Sequence, residues 1–406
     1  MKNKEIIPRK NYVERIKPFI NKQLIKVLTG QRRVGKSYIL LQLIDEIKKE
    51  QPNANIIFID KELDEFADIQ NNTDLYQYVN SKLKDAENYL FIDEIQEIYS
   101  FEHCLRSLLN EKKCDIFCTG SNANLLSGEL ATHLAGRYIS FEIHSLSYLE
   151  FLEFNNLGNN NQSLNQYLTI GGMPFLSNFE TDKNASFEYL KNVYSSILLK
   201  DVVARENIRN VAFLENLVAY LVDNVGNLLS AHNISKYLKS QQINMMPQTI
   251  INYLYALCNA FFIYRVPRAE INGLKIFESG EKYYFEDIGI RNAIRTLNFA
   301  KDINKLMENA VFMHLMQNNY KVFVGKNGEK EVDFVAEKNG KKIYIQVAYM
   351  LYNEETIKRE FGNLMEISDN FTKMVVTLDE ISVGNYKGIK QVHLRDFLTN
   401  TQLLNL

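Results

Sequence analysis

The strongest chemistry in the chain lies near its start, where Gly30-Gln31-Arg32-Arg33-Val34-Gly35-Lys36-Ser37 fits the pattern G-x-x-x-x-G-K-[ST]. Glycines in such a loop let the backbone curl until successive N–H groups face a phosphate. Lys36 is then placed to reach the β and γ oxygens, and Ser37 to offer its hydroxyl to Mg²⁺. A second segment, Tyr89-Leu90-Phe91-Ile92-Asp93-Glu94, is an apolar run that ends in two acids. Beside a phosphate loop, Asp93 suits the metal side of the site and Glu94 can polarise an attacking water. That pairing points to hydrolysis rather than to phosphate transfer onto a small molecule. Thr119-Gly120-Ser121-Asn122 closes another apolar run, where Ser121 or Asn122 either senses a γ-phosphate or caps a helix. Gly136-Arg137 precedes a further strand pattern. Arg137 there either neutralises charge on the transferred phosphoryl group, in its own chain or a neighbour's, or makes a surface ion pair.

These residues can act together only if the fold brings them to one place. Leu24–Thr29, Asn55–Asp60, Tyr89–Asp93, Cys114–Thr119 and Tyr138–Ile143 read as short apolar strands. Helical patterns separate them, over about Ser37–Lys49, Leu75–Leu83 and Cys104–Leu109. Strands alternating with helices predict an α/β fold, a parallel sheet covered by helices on both faces. The polar stretch Asn155–Asn165 reads as a surface loop or domain joint. Beyond it the chain turns helical, through Asn192–Asn207 and Val211–Val225, then Ile234–Lys239 and Thr249–Ala260. Ala260–Pro267 and Lys282–Glu286 follow as a short hairpin, which with the two preceding helices outlines a winged helix. A last pattern starts near Asp302, with a helix over Leu306–Gln317, strands near Tyr320–Val324, Glu331–Ala336 and Ile343–Val347, a helix over Glu355–Ile367 and a strand over Met374–Leu378.

Composition narrows the class. A chain of 406 residues has the length of two or three domains. Its formal charge of −2 excludes a basic nucleic-acid coat and an acidic tail protein. Four cysteines are too few for a disulfide scaffold, and Cys114 and Cys118 lack a second metal-like pair, so the thiols are expected in the core in a reducing compartment. His133 and His144 flank the fifth strand, and no spacing among the six histidines resembles a zinc site. With no secretory segment at the start and no apolar run of membrane length, a cytoplasmic protein is expected.

Together, GQRRVGKS, YLFIDEIQ, CTGSNANLL, HLAGRYISFEIHSLSYLEFLEF and IGGMPF resemble the prokaryotic AAA-family ATPases that carry a C-terminal domain of unknown function. LLKDVVARENIRN, KYYFEDIGIRNAI and EVDFVAEKNGKKIYIQVAYML extend the resemblance over nearly the whole chain. It implies an ATP-hydrolysing enzyme that uses Mg²⁺. Gly30, Gln31, Arg32, Arg33, Val34, Gly35, Lys36, Ser37 and Tyr38 would contact nucleotide, and Ser37 and Asp93 the metal. Glu94, Lys36, Asn122 (or Ser121) and a finger-like Arg137 would carry the chemistry. Such a protein is expected to couple nucleotide state to a partner-binding C-terminal half. An unidentified protein is one expected partner, DNA a candidate, a homo-oligomer the assembly to test, and a membrane none.

The rest of the chain is read with more than one outcome open. In Pro247–Ala260, Gln248, Thr249 and Asn252 have the chemistry for base edges, yet Pro247 to Tyr264 contains no Lys or Arg to hold phosphates. A winged helix used for packing or protein contact fits that better. Asp201, Arg205 and Arg209 sit at spacings of four, as a local ion-pair ladder or a domain contact. The last hundred residues resemble a restriction-endonuclease-like fold, in which a helix Glu, a strand Asp and an acid-x-Lys pair hold Mg²⁺. Glu308 and Asp333 take the first two places, but the third reads Gln346-Val347-Ala348. An amide and a methyl there imply a nuclease relic used for binding, unless Lys341 or Lys342 substitutes. The expected layout is an AAA-type ATP-binding domain over 1–145, a helical and winged-helix-like domain over 146–300 and a degenerate nuclease-like α/β domain over 301–406. The competing readings are a nucleotide-switched DNA-binding regulator or defence component, and an active nuclease.

Overall fold

The computed structural model describes residues 7–127, 134–180, 182–271, 276–295, 298–351, 353–380 and 384–404. The chain divides into two compact units. One holds the residues up to His144 with Asn259–Phe261, and the other Ser145–Cys258 with the residues from Phe262 on.

The first unit is built on β1 (Ile25–Thr29), β2 (Asn55–Asp60), β3 (Asn88–Asp93), β4 (Asp115–Gly120) and β5 (Tyr138–Glu142). They form a five-stranded sheet in the order β2-β3-β4-β1-β5, with every pairing parallel. Helices α1 (Lys10–Ile16), α2 (Lys36–Glu50), α3 (Asn72–Lys82) and α4 (Phe101–Asn110) flank it. The pleat explains the continuous apolar strands. In β3, Leu90 and Ile92 pack with Leu75, Val79, Leu105 and Leu108 on one face. Tyr89 and Phe91 pack with Ile39, Leu40 and Leu43 on the other. Both faces of the sheet are therefore covered, as parallel sheets require. All five strands expected from the sequence are present, with ends shifted by a residue at most.

The second unit begins with helices α5 (Tyr148–Phe154), α6 (Asn161–Ile170), α7 (Lys183–Ser196), α8 (Val211–Asp223), α9 (Ala231–Ser240) and α10 (Pro247–Asn259). Between α7 and α8 the backbone widens into a π-helical segment, Ile197–Ala204. There Arg205 Nη1 lies 3.4 Å from Asp201 Oδ1, a local pair at a spacing of four. The hairpin β6 (Ile263–Glu270) and β7 (Ile276–Phe285) belongs to an eight-stranded sheet. β8 (Lys321–Asn327), β9 (Lys330–Lys338), β10 (Lys341–Val347), β11 (Thr372–Thr377), β12 (Asn385–Tyr386) and β13 (Ile389–His393) complete it, in the order β12-β13-β11-β10-β9-β8-β6-β7. The hairpin after the two helices thus shares a sheet with the strands that follow residue 320. Helix α11 (Ile288–Ile294) packs against α6, α7 and α8, while α12 (Phe299–Gln317) and α13 (Glu354–Met365) pack with the sheet.

One glycine fixes the join between helices here. A Cβ on Gly289 would meet the carbonyl oxygen of Ile170 at 1.9 Å, so α11 can approach the end of α6 only with glycine at this point. Buried Asp287 caps α11 through the N–H of Ile290 and also accepts the N–H of Gly172 at 2.7 Å. No helix among the described residues is long and apolar enough to cross a membrane.

Candidate functional site

The phosphate-loop motif follows β1 and runs into α2. Gly30 takes φ 141°, and a Cβ there would lie 2.1 Å from the carbonyl oxygen of Ile143. Gly35 takes φ 97° as the residue that starts α2. Both positions need glycine, one for space and both for backbone shape. Arg33 also has a positive φ, and Arg32 pairs with Glu62 at 3.0 Å. Val34 and Gln31 are buried, and Tyr38 is exposed. Among the described residues, neither side-chain polar atom of Gln31, both buried, has a hydrogen-bond partner. Lys36 is buried, its ammonium donating to the carbonyls of Gly30 (3.0 Å) and Gln31 (3.1 Å).

Parallel register brings the acids to the same sheet edge. β4 lies between β1 and β3, with Leu28 beside Thr119 and Ile92 beside Cys118. The C-terminal ends of the three strands therefore line up, which is where open α/β sheets bind ligands. Asp93 hydrogen-bonds the hydroxyls of Ser37 and Thr119. Glu94 Oε1 lies 3.8 Å from Lys36 Nζ. Its other oxygen accepts from Ser121 Oγ at 3.2 Å and from Gln96 Nε2. The two neighbouring acids are tuned apart. Burial raises Asp93 above the usual carboxylate range, and the Ser37 and Thr119 hydroxyls offset only part of that. Burial also pushes on Glu94, but Lys36, Gln96, Arg32 and Ser121 outweigh it and hold its carboxyl below the usual range. Glu94 is thus kept as a carboxylate, the form a base needs.

The remaining expected residues fall at different places. Ser121 is buried against Glu94, whereas Asn122 accepts the N–H of Asn124 at 2.7 Å, as the cap of a short helical turn. Arg137 is exposed and immediately precedes β5, whose first residue, Tyr138, lies beside Ile25. Strand β1 separates that level from Gly30, roughly 15 Å along the sheet. His133 lies outside the described residues. Gln248 and Asn252 are exposed and hydrogen-bond each other at 3.1 Å.

Three residues matter here that sequence reasoning left without a role. Thr119 Oγ1 accepts the N–H of Glu94 at 2.9 Å while donating to Asp93, so one hydroxyl holds both acids. Gln96 braces Glu94 from two residues on. Arg9 is buried and donates through Nη1 to the carbonyls of Val34 and His144, each at 2.9 Å, tying the loop to the exit of β5. Gln96 and Thr119 lie inside segments the sequence singles out, YLFIDEIQ and CTGSNANLL, whereas nothing in the sequence marks Arg9.

The residues fit a nucleotide with Mg²⁺. Ser37 and Asp93 present hard oxygen donors already in contact with each other. Among the described residues no group of three or more His, Cys, Asp or Glu is arranged to hold a metal. Mg²⁺ would therefore take its other ligands from phosphates and water, its usual habit.

Sequence comparison agrees with this class of site. Residues 22–152 match the family model of an AAA domain, and residues 161–301 that of a domain of unknown function. The chain is 34% identical over 403 residues to an uncharacterized protein of Haemophilus influenzae, covering 98% of this chain and 99% of the relative. It is 33% identical over 376 residues to an uncharacterized protein of Methanocaldococcus jannaschii, covering 88% of this chain and 82% of that one. The chain belongs to the same family as these two relatives. Solved structures with partial similarity include Aeropyrum pernix ORC1 in complex with DNA, at TM-score 0.31 and 8% identity over 74% of this chain and 97% of that one. Another is AMPPCP-bound DnaA from Aquifex aeolicus, at TM-score 0.32 and 15% identity over 61% of this chain and 87% of that one. Scores this low carry no argument about this chain.

Proposed function

We propose that the protein hydrolyses ATP in the first unit and passes the nucleotide state to a partner-binding second unit. The observation that carries this is the convergence of Lys36, Ser37, Asp93, Glu94 and Ser121 at one edge of the parallel sheet. The match to an AAA domain supports it.

In this reading the loop N–H groups and Lys36 bind the phosphates. On binding, the Lys36 ammonium leaves the carbonyls of Gly30 and Gln31 for phosphate oxygens, a better charge partner. Mg²⁺, held by Ser37 and Asp93, would supply charge neutralisation on the phosphate oxygens. Glu94 orients a water and takes its proton, while Ser121 and Gln96 fix the carboxylate. Asn122 keeps its capping role and leaves the sensing position to Ser121. Arg137, far along the sheet from its own loop, serves the γ-phosphate of a neighbouring copy. That requires a homo-oligomer in the cytoplasm.

The second unit is proposed to bind rather than to cut. Its α9–α10 pair and hairpin would form the winged-helix-like part, and its later strands the restriction-endonuclease-like part. Gln346 and Ala348 deprive it of an acid and a lysine. Lys36→Ala tests the core of the proposal. ATP affinity and turnover should both collapse while the circular dichroism spectrum is retained. A folded variant that binds and hydrolyses ATP like wild type would refute it.

A further inference from the structure

Strand β7 carries a lysine into the interior of the second unit. Lys282 is 1% exposed, and its ammonium lies 3.0 Å from Asp333 Oδ1, 3.0 Å from Glu331 Oε1 and 3.5 Å from Glu308 Oε2. The three carboxylates come from β9 and α12, 26 to 51 positions along the chain from Lys282. Strand order alone sets β7 three places from β9, or about 14 Å in a flat sheet. Contact is made because β6 and β8 pair only through Arg268–Glu270 and Val324–Lys326. Away from those positions the sheet is free to curl, and Glu308 closes the cluster from α12.

The acids of the cluster have further partners. Asp333 Oδ2 accepts the N–H of Val347 at 3.0 Å. Glu308 Oε2 accepts the hydroxyl of Tyr284 at 3.0 Å. Gln346 Oε1 faces the N–H of Asp333 at 3.4 Å. A Cβ on Gly226 would come within 2.5 Å of Glu308 Oε2, so the chain closes over the cluster from that side too. Three acids around one buried centre repel one another unless a cation sits among them. Here the cation is covalently part of the chain.

We propose that the Lys282 ammonium is the resident cation of the Glu308–Glu331–Asp333 cluster, occupying the place a divalent metal would otherwise take. The second unit is then metal-independent, and removing the ammonium uncovers a divalent-cation site. The charges agree with this. Burial alone would lower Lys282, yet Tyr284, Asp333, Glu308 and Glu331 keep it well above the usual ammonium range, so the cation persists. The distances agree as well. Bonds to Mn²⁺ or Ca²⁺ are about 1 Å shorter than these contacts, a contraction that side-chain rotation can supply. The proposal is independent of ATP hydrolysis.

The test is Mn²⁺ binding to the full chain without nucleotide, read by electron paramagnetic resonance. Wild type and Asp333→Asn should titrate alike, because the cluster holds no metal in either. Lys282→Met should gain about one Mn²⁺ site per chain, and Asp333→Asn in the same chain should remove it. A wild-type Mn²⁺ site abolished by Asp333→Asn would overturn the proposal, as would a folded Lys282→Met chain that gains none. If Lys282→Met does not fold, the wild-type and Asp333→Asn titrations decide. Their coincidence supports a cluster closed to metal, and their divergence overturns it.

Discussion

Thr119 offers the sharpest perturbation of the first unit. Its hydroxyl is fully buried, accepts the N–H of Glu94 at 2.9 Å and donates to Asp93. Thr119→Val keeps the branched shape and removes both bonds at once. The N–H would be stranded on Glu94, itself in the left-handed region at φ 55° and ψ 53°. An unsatisfied buried donor costs about 1–3 kcal/mol, and losing a bond to a charged group a similar amount. A total near 3 kcal/mol leaves a folded protein, since domains are stable by about 5–15 kcal/mol. The effect on turnover should be larger than that stability loss suggests. Glu94 held about 1 Å out of place costs ~10²-fold in rate. The assay pairs urea unfolding with steady-state ATP turnover, and Thr119→Ser serves as the control that restores both bonds and both readouts. A Val variant that loses stability but turns over at the wild-type rate would show that Thr119 does not position the acids.

Other expectations follow from single contacts. Gly30→Ala drives a Cβ against the Ile143 carbonyl at 2.1 Å, so ATP affinity should fall by ~10-fold or more. Gly362→Ala on α13, with nothing within 4 Å, should leave affinity alone and change stability by under about 1 kcal/mol; equal affinities in the two variants would contradict this. His314 is buried against Phe397, and burial lowers it to about 4. An unfolded histidine protonates near 6.5, so the unfolded state binds the extra proton first and stability falls as pH drops from 6.5 toward 4. At pH 4.5 this amounts to about 2–3 kcal/mol. Wild type should therefore lose that much stability in acid relative to His314→Phe, and parallel curves would refute the burial argument. For Arg137, mixing Lys36→Ala with Arg137→Ala chains should restore activity if the arginine serves a neighbour. Inactive mixtures at concentrations where wild type is oligomeric would rule that out.

Much of the first unit was legible because its signals are local. The loop pattern lies within eight residues, and β3 announces itself as an apolar run ending in Asp93 and Glu94. The strands read correctly because a sheet buried on both faces needs unbroken apolar stretches. What escaped was whatever depends on register or long-range approach. Thr119 acquires its role only because β4 lies beside β3, and a threonine ending a strand has no distinguishing pattern. Ser121 and Asn122 are equivalent by sequence, and backbone direction alone turns one toward Glu94 and the other toward Asn124. Ala260–Pro267 and Lys282–Glu286 suggested an isolated wing, because hairpin signals are silent about the next partner strand. The parallel pairing of β6 with β8 crosses more than fifty residues. For the same reason, the lysine missing beside Gln346 gave no hint that Lys282 reaches Asp333 from another strand.

The proposed hydrolysis rests most heavily on Glu94, so the most direct measurement compares Glu94→Gln with wild type in two assays on the same preparation. The amide preserves size and the contact with Ser121 but cannot take a proton. ATP binding should stay within a few-fold of wild type, while turnover under saturating ATP with Mg²⁺ falls by roughly 10²-fold or more. Turnover equal to wild type, with ATP bound normally, would contradict the assignment of Glu94 as the group that activates water.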